Sequence, residues 1–223
     1  MTVASSPISN PSFLKMMDSY LDWFNANNLN DCPPNFRSSV DDPLNHYCSP
    51  SFLHELLNSK SNHKGTPDYI NLISPQKSIH VPQKLREKSH DISSDICSFL
   101  GAKYSAASIF YPIGGYVSWH TNWDCPGYAM IITYSNNGDG FFKYLDLGNN
   151  IVVIPDSVGW SVKTAFYGTE GNNEFWHCAG NNSAVRHTLG LSFSNEFMLK
   201  LAFDDLTESN SSLISSSLNR KKL

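Results

Sequence analysis

Charge is scarce in this chain: Asp, Glu, Lys and Arg make up 16% of its 223 residues. The formal net charge is −4, so the sequence lacks the basic footprint of a nucleic-acid binder, and nucleic acid is not an expected partner. It also lacks any run of eighteen apolar residues, which argues against a transmembrane helix. The opening stretch MTVASSPISN has neither a charged n-region nor an apolar h-region, so no secretory signal is expected there. No CxxC occurs. The five cysteines, Cys32, Cys48, Cys97, Cys125 and Cys178, are scattered and odd in number. Free thiols in a reducing cytoplasm are therefore expected, not a disulfide framework or a zinc knuckle. No internal repeat is visible.

What is present is a soluble globular composition, 40% hydrophobic, long enough for one well-buried domain or one domain with an extension. The first hundred residues read as helices and loops. From Ser12 to Asn25 the apolar positions Phe13, Met16, Met17, Tyr20, Leu21 and Phe24 form one stripe at helical spacing, with Ser12 as a candidate N-cap. A loop rich in Asn, Asp and Pro follows, readable as a lid or as a plain connector. A short helix is expected from Ser51 and a longer one from Val81, with Leu85, Ile92, Ile96 and Phe99 inward and Gly101 ending it.

After Gly101 the period changes from helical to alternating. Eight strand-like runs follow: SAASIFYP, GYVSWHT, YAMIITYS, GFFKYLDL, IVVIPD, GWSVKTAFYG, FWHCAG and VRHTLGLSFS. Eight short strands with no intervening helix suggest a barrel or jelly roll. The expected fold is thus mainly β with a helical N-terminal part, a jelly roll buttressed by helices. Its expected divisions are residues 1–100 as a helical and loop extension, 101–203 as the core, and 204–223 as a disordered tail.

Five of the eight histidines, His46, His54, His63, His80 and His90, lie in the helical half with no ligand-like partners and read as surface or packing residues. His120 ends the second strand, in WHTNWD, and His177 lies in the seventh. Those two strands are neighbours in a jelly roll, so the two histidines are expected to meet. Asn122, two residues after His120, shares its face in extended chain. In the eighth strand Arg186 and Thr188 share a face, and His187 takes the other. An inward Arg needs a partner. No carboxylate in the neighbouring strands obviously supplies one, so a bound carboxylate ligand is expected to do so.

The segments YPIGGYVSWHTN, ITYSNNGDGFFKY and FWHCAGNNSAVRHTLGLSF together resemble the core of the Fe(II)/2-oxoglutarate-dependent oxygenases, in their prolyl-hydroxylase-like branch. The pattern is also similar to phage-encoded members of that superfamily. The resemblance covers roughly residues 101–196. It implies a double-stranded β-helix in which His120 and His177 hold Fe(II). It implies that Arg186 binds the distal carboxylate of 2-oxoglutarate, with Thr188 and Tyr134 assisting and Tyr111 lining the cosubstrate pocket. Dioxygen, an unidentified peptide or small-molecule substrate, and ascorbate as an accessory reductant are the other partners it implies.

The departure is at the third ligand. The family's triad is two histidines and an Asp or Glu, and Asn122 stands at the carboxylate position. Either Asn122 coordinates through its amide oxygen, or Asp124 reaches the metal through a bulged turn, or the position is left open as in related halogenases. Hydroxylation with release of succinate and carbon dioxide is the leading function. Halogenase-like chemistry and a non-catalytic jelly-roll module stand as the alternatives. A cupin-type site fits poorly, because it wants an H-x-H.

Overall fold

Gly101, left-handed at φ 65°, ends helix α4 (Gln83–Leu100), and from there to Phe193 the regular elements are strands. The structure, a computed structural model, describes residues 3–59, 67–169 and 173–208. Its eight core strands fall on the eight alternating runs: β4 (Tyr104–Tyr111), β5 (Tyr116–His120), β6 (Gly127–Ser135), β7 (Gly140–Leu145), β8 (Ile151–Pro155), β9 (Gly159–Tyr167), β10 (His177–Asn181) and β11 (Arg186–Phe193).

These strands form two antiparallel sheets. One runs β9-β6-β11-β4 and the other β5-β10-β7-β8. Counted along the chain, the first strand thus lies beside the eighth, and the second beside the seventh. That is the strand order of a jelly roll, the double-stranded β-helix.

Among the described residues of the first hundred, three short strands extend these sheets, and alternation alone did not reveal them. β1 (Ser5–Pro7) pairs with β9, while β2 (Asn35–Arg37) pairs with β3 (Ile70–Leu72), which pairs with β5. At three residues each they are too short to show a period.

Helices α1 (Pro11–Ala26), α4 and α5 (Glu196–Thr207) cover the outer face of the β4–β11–β6–β9 sheet. Phe13, Met17 and Tyr20 of α1, Ile96 of α4 and Leu206 of α5 pack there against Met130, Ile132, Val162 and Leu189. The cap of α1 is Asn10, whose side chain accepts from the Phe13 N–H at 3.0 Å, with Pro11 at the first helical position; Ser12 is not the cap. Phe99, expected inward on α4, is 43% exposed, and the small Ser89 and Ser93 take buried positions on that helix instead. Helices α2 (Pro43–Tyr47) and α3 (Pro50–Asn58) cover the other sheet, where Trp119 is fully buried and donates its Nε1–H to the Ser49 carbonyl. The tail predicted from residue 204 begins inside α5; from residue 209 it lies outside the described residues.

Candidate metal centre

Strand pairing brings the two histidines together across 57 residues of chain. His177, the first residue of β10, stands directly opposite His120, the last of β5, with ring centroids 4.1 Å apart. Each ring is fixed through its Nδ1, which lies 2.8 Å from a backbone carbonyl, that of Ser118 for His120 and that of Phe175 for His177. A carbonyl can only accept, so each Nδ1 carries the proton and each Nε2 keeps its lone pair for another partner. Both rings are buried. Burial pulls the His120 pKa down to about 4, against smaller opposing effects from the Ser118 carbonyl and Asp124. His177 is held well below the usual histidine range by burial and by His120 beside it. Neutral imidazoles are the form that binds a metal.

Asn122 completes this cluster. Strand β5 has ended, and Asn122 adopts the left-handed conformation at φ 55°, which Asn tolerates better than most residues. Its Nδ2 sits 3.2 Å from His177 Nε2. A half-turn of the amide would present Oδ1 to the same point. Tyr167 joins the site, stacked on the His177 ring at 5.2 Å and 11° and hydrogen-bonded to Asn122. Asp124 is exposed, and among the described residues no three His, Cys, Asp or Glu side chains converge to hold a metal. With the amide turned, the arrangement could supply two nitrogens and one amide oxygen. That set suits a divalent transition ion, but it brings no negative charge, so it would hold the ion less tightly than two histidines and a carboxylate.

The second cluster is ionic. Arg186 is 1% exposed, and its carboxylate partner is internal: Nε donates to Asp156 Oδ2 at 2.6 Å. This corrects the expectation that a bound carboxylate ligand supplies that partner; the carboxylate comes from the chain, though not from a strand beside β11. Asp156 follows β8 directly and also meets Lys163 Nζ of β9 at 3.4 Å. Burial pushes the Asp156 carboxyl up, but the two cations overcome it and hold it below its ordinary value. Burial pulls Lys163 down, and Asp156 opposes it. With both bases protonated the set carries a net charge of +1. Arg186 Nη1 donates to Thr188 Oγ1 at 2.9 Å, and the guanidinium lies 4.6 Å from the Tyr111 ring centroid. A Cβ on Gly140 would run into the Asp156 carboxylate and the Arg186 Cδ, so glycine is needed for the pair to fit.

Of the residues singled out in the sequence, the structure joins His120, Asn122 and His177 in one cluster and Arg186, Thr188 and Tyr111 in another. Tyr134 belongs to neither. Its partner in register is His187, not Arg186, which faces Ser135. Tyr134 therefore lies on the helix-covered side, 5.0 Å from Trp160 and 6.2 Å from His187 between ring centroids. Asp156, Lys163 and Tyr167 were missed. Lys163 and Tyr167 carried a signal, since they share parity with Ser161 and Ala165 in GWSVKTAFY.

A cavity of about 440 Å³ opens between the sheets, lined by Asn122 and Tyr167 but by neither histidine nor Arg186.

The sequence matches no protein-family model and no curated protein. Among solved structures the fold is similar to the crystal structure of a Pseudomonas putida prolyl-4-hydroxylase. The TM-score is 0.42 at 13% identity, over 86% of this chain and 92% of that one. The jelly-roll assignment itself rests on the strand order given above. No described helix is long and apolar enough to cross a membrane.

Proposed function

We propose that the protein is an iron- and 2-oxoglutarate-dependent oxygenase that hydroxylates its substrate. The observation that carries this reading is the cross-strand pair His120–His177, with both Nδ1 atoms tied to carbonyls and Asn122 beside His177 Nε2. In this reading His120, His177 and the Asn122 amide oxygen hold Fe(II). Iron with 2-oxoglutarate would supply activation of dioxygen, with succinate and carbon dioxide as co-products.

The remaining work falls to the chain. Arg186, Thr188 and Lys163 receive the distal carboxylate of 2-oxoglutarate, which neutralises the surplus positive charge of the buried set. Asp156 fixes the direction of the guanidinium. Phe175, Tyr167 and Phe142 pack around His177 and keep water from it. Ascorbate serves as accessory reductant. Hydroxylation is preferred to halogenation, because the Asn122 side chain stands beside His177 where a halide would need room.

Two observations favour a second reading, a non-catalytic binding module. Arg186 is already paired within the chain, and Asn122 brings no charge to a metal. The experiment that separates the two is succinate release from 2-oxoglutarate by anaerobically Fe(II)-loaded protein on admission of air. Release that is absent from His177→Ala supports the oxygenase. Equal, background-level release from both proteins under every condition supports the module.

A further inference from the structure

The cavity beside Asn122 has a composition that the metal centre does not explain. Its volume, about 440 Å³, lies within the range of small-molecule sites, roughly 300–1,000 Å³. Small residues on one sheet make the space. Ala107, Ala129 and Gly190 line one wall, and a Cβ on Gly190 would only reach ordinary contact with Ala107, at 3.4 Å. Val117 and Leu72 of the other sheet line the opposite wall. The walls are therefore mostly apolar, and Asn122 and Tyr167 bring the cavity to the His120–His177 cluster.

The rim is different. Arg37 of β2 and the exposed Lys77 line it, and no ion pair among the described residues involves either. Arg37 uses one Nη2–H on the Pro67 carbonyl at 3.2 Å and has four further N–H groups. Asp124 lines the cavity too, beside Asn122, so the rim carries two cations against one carboxylate. That local excess is opposite in sign to the chain as a whole, at −4.

We infer that this cavity is the substrate groove, and that it takes a small anionic amphiphile: a hydrocarbon body between the sheets and a carboxylate held at the rim by Arg37 and Lys77. The inference rests on the proposed reading for the place of reaction, which is the end of the body nearest Asn122. Binding itself needs no metal. Burial of the hydrocarbon body supplies affinity, and the two cations supply the choice of head group.

The test is calorimetric titration of the full chain, without metal, with decanoate, decanol and decylammonium below their micellar concentrations. Decanoate is expected to bind about tenfold more tightly than decanol, the worth of one good charge-assisted contact, and decylammonium most weakly. In the double variant Arg37→Gln, Lys77→Gln that preference disappears while decanol binding stays, and Arg37→Glu, Lys77→Glu turns it toward decylammonium. Both positions are exposed, so the fold is kept. Ala107→Leu, shown folded by its melting curve, weakens all three probes by filling the cavity. Equal affinity for decanoate and decanol, a preference that survives the double variant, or no binding of any probe overturns the inference. None of these results bears on succinate release, so the two proposals fail separately.

Discussion

The Asp156 carboxylate accepts from Arg186 Nε at 2.6 Å with both side chains out of contact with solvent. Lys163 lies on the same carboxylate. Removing Asp156 would leave two buried cations facing each other. Asp156→Asn is therefore expected to destabilise the fold by about 3–5 kcal/mol, the usual cost of breaking a buried pair. The addition of Lys163→Met should recover part of that loss. Denaturant titration of the single and double variants checks both.

Gly140→Ala is expected to act through the same pair. The added methyl meets the Asp156 carboxylate and the Arg186 Cδ. Overpacking of this kind costs about 1–3 kcal/mol. The loss should shrink in an Asp156→Ala background, where the carboxylate that the methyl meets is gone, and a double-mutant cycle reads that coupling directly.

His187 offers a pH test of the helix-covered face. Neither ring nitrogen has a hydrogen-bond partner among the described residues, and the ring is enclosed by Tyr20, Phe24, Phe110 and Tyr134. Burial pulls its pKa down to about 3, and that of His120 to about 4. Above the unfolded value, near 6.5, both rings are neutral in either state. Below it the unfolded chain takes up protons that the fold refuses, so stability falls as pH drops from about 6.5 toward 4. Each ring contributes about 1.4 kcal/mol per pH unit. His187→Leu should flatten that slope by one ring's share and raise stability at pH 7 by about 1 kcal/mol, because two unsatisfied nitrogens are removed. Unfolding free energies measured from pH 7 to 4.5 check it.

Much of this fold was legible because most core strands alternate and are bounded by Gly and Asn turns. The meeting of His120 and His177 followed from counting strands. The face of Tyr134 did not. Strand β6 is buried on both sides, with Met130 and Ile132 under the helices and Ile131 in the barrel, so its apolar run shows no alternation. Only the pairing register with β11 places Thr133 and Ser135, not Tyr134, beside Thr188 and Arg186. Asp156 was hidden for another reason. It is the residue after β8, thirty positions before Arg186, and no local pattern links a turn carboxylate to a strand in the other sheet. The N-cap Asn10 lay two residues upstream of Ser12 because Pro11 already fits the first helical position.

Asn122→Asp tests the third ligand. The left-handed backbone at Asn122 accepts Asp about as well as Asn, so the substitution changes charge without strain. If Asn122 is the ligand, Fe(II) or Mn(II) should bind at least about tenfold more tightly in the variant, and Asp124→Ala should leave metal affinity unchanged. An unchanged affinity in Asn122→Asp together with loss of binding in Asp124→Ala would move the ligand to Asp124. Metal titration followed by calorimetry reads both outcomes.

The most direct test of the central claim is the amount of Fe(II) retained after anaerobic dialysis with 2-oxoglutarate present. The wild-type chain should keep one ion per molecule, and His120→Ala and His177→Ala, each folded by its melting curve, should keep none. A wild-type chain that retains no iron, or histidine variants that retain as much as it does, would contradict a metal centre at the His120–His177 pair.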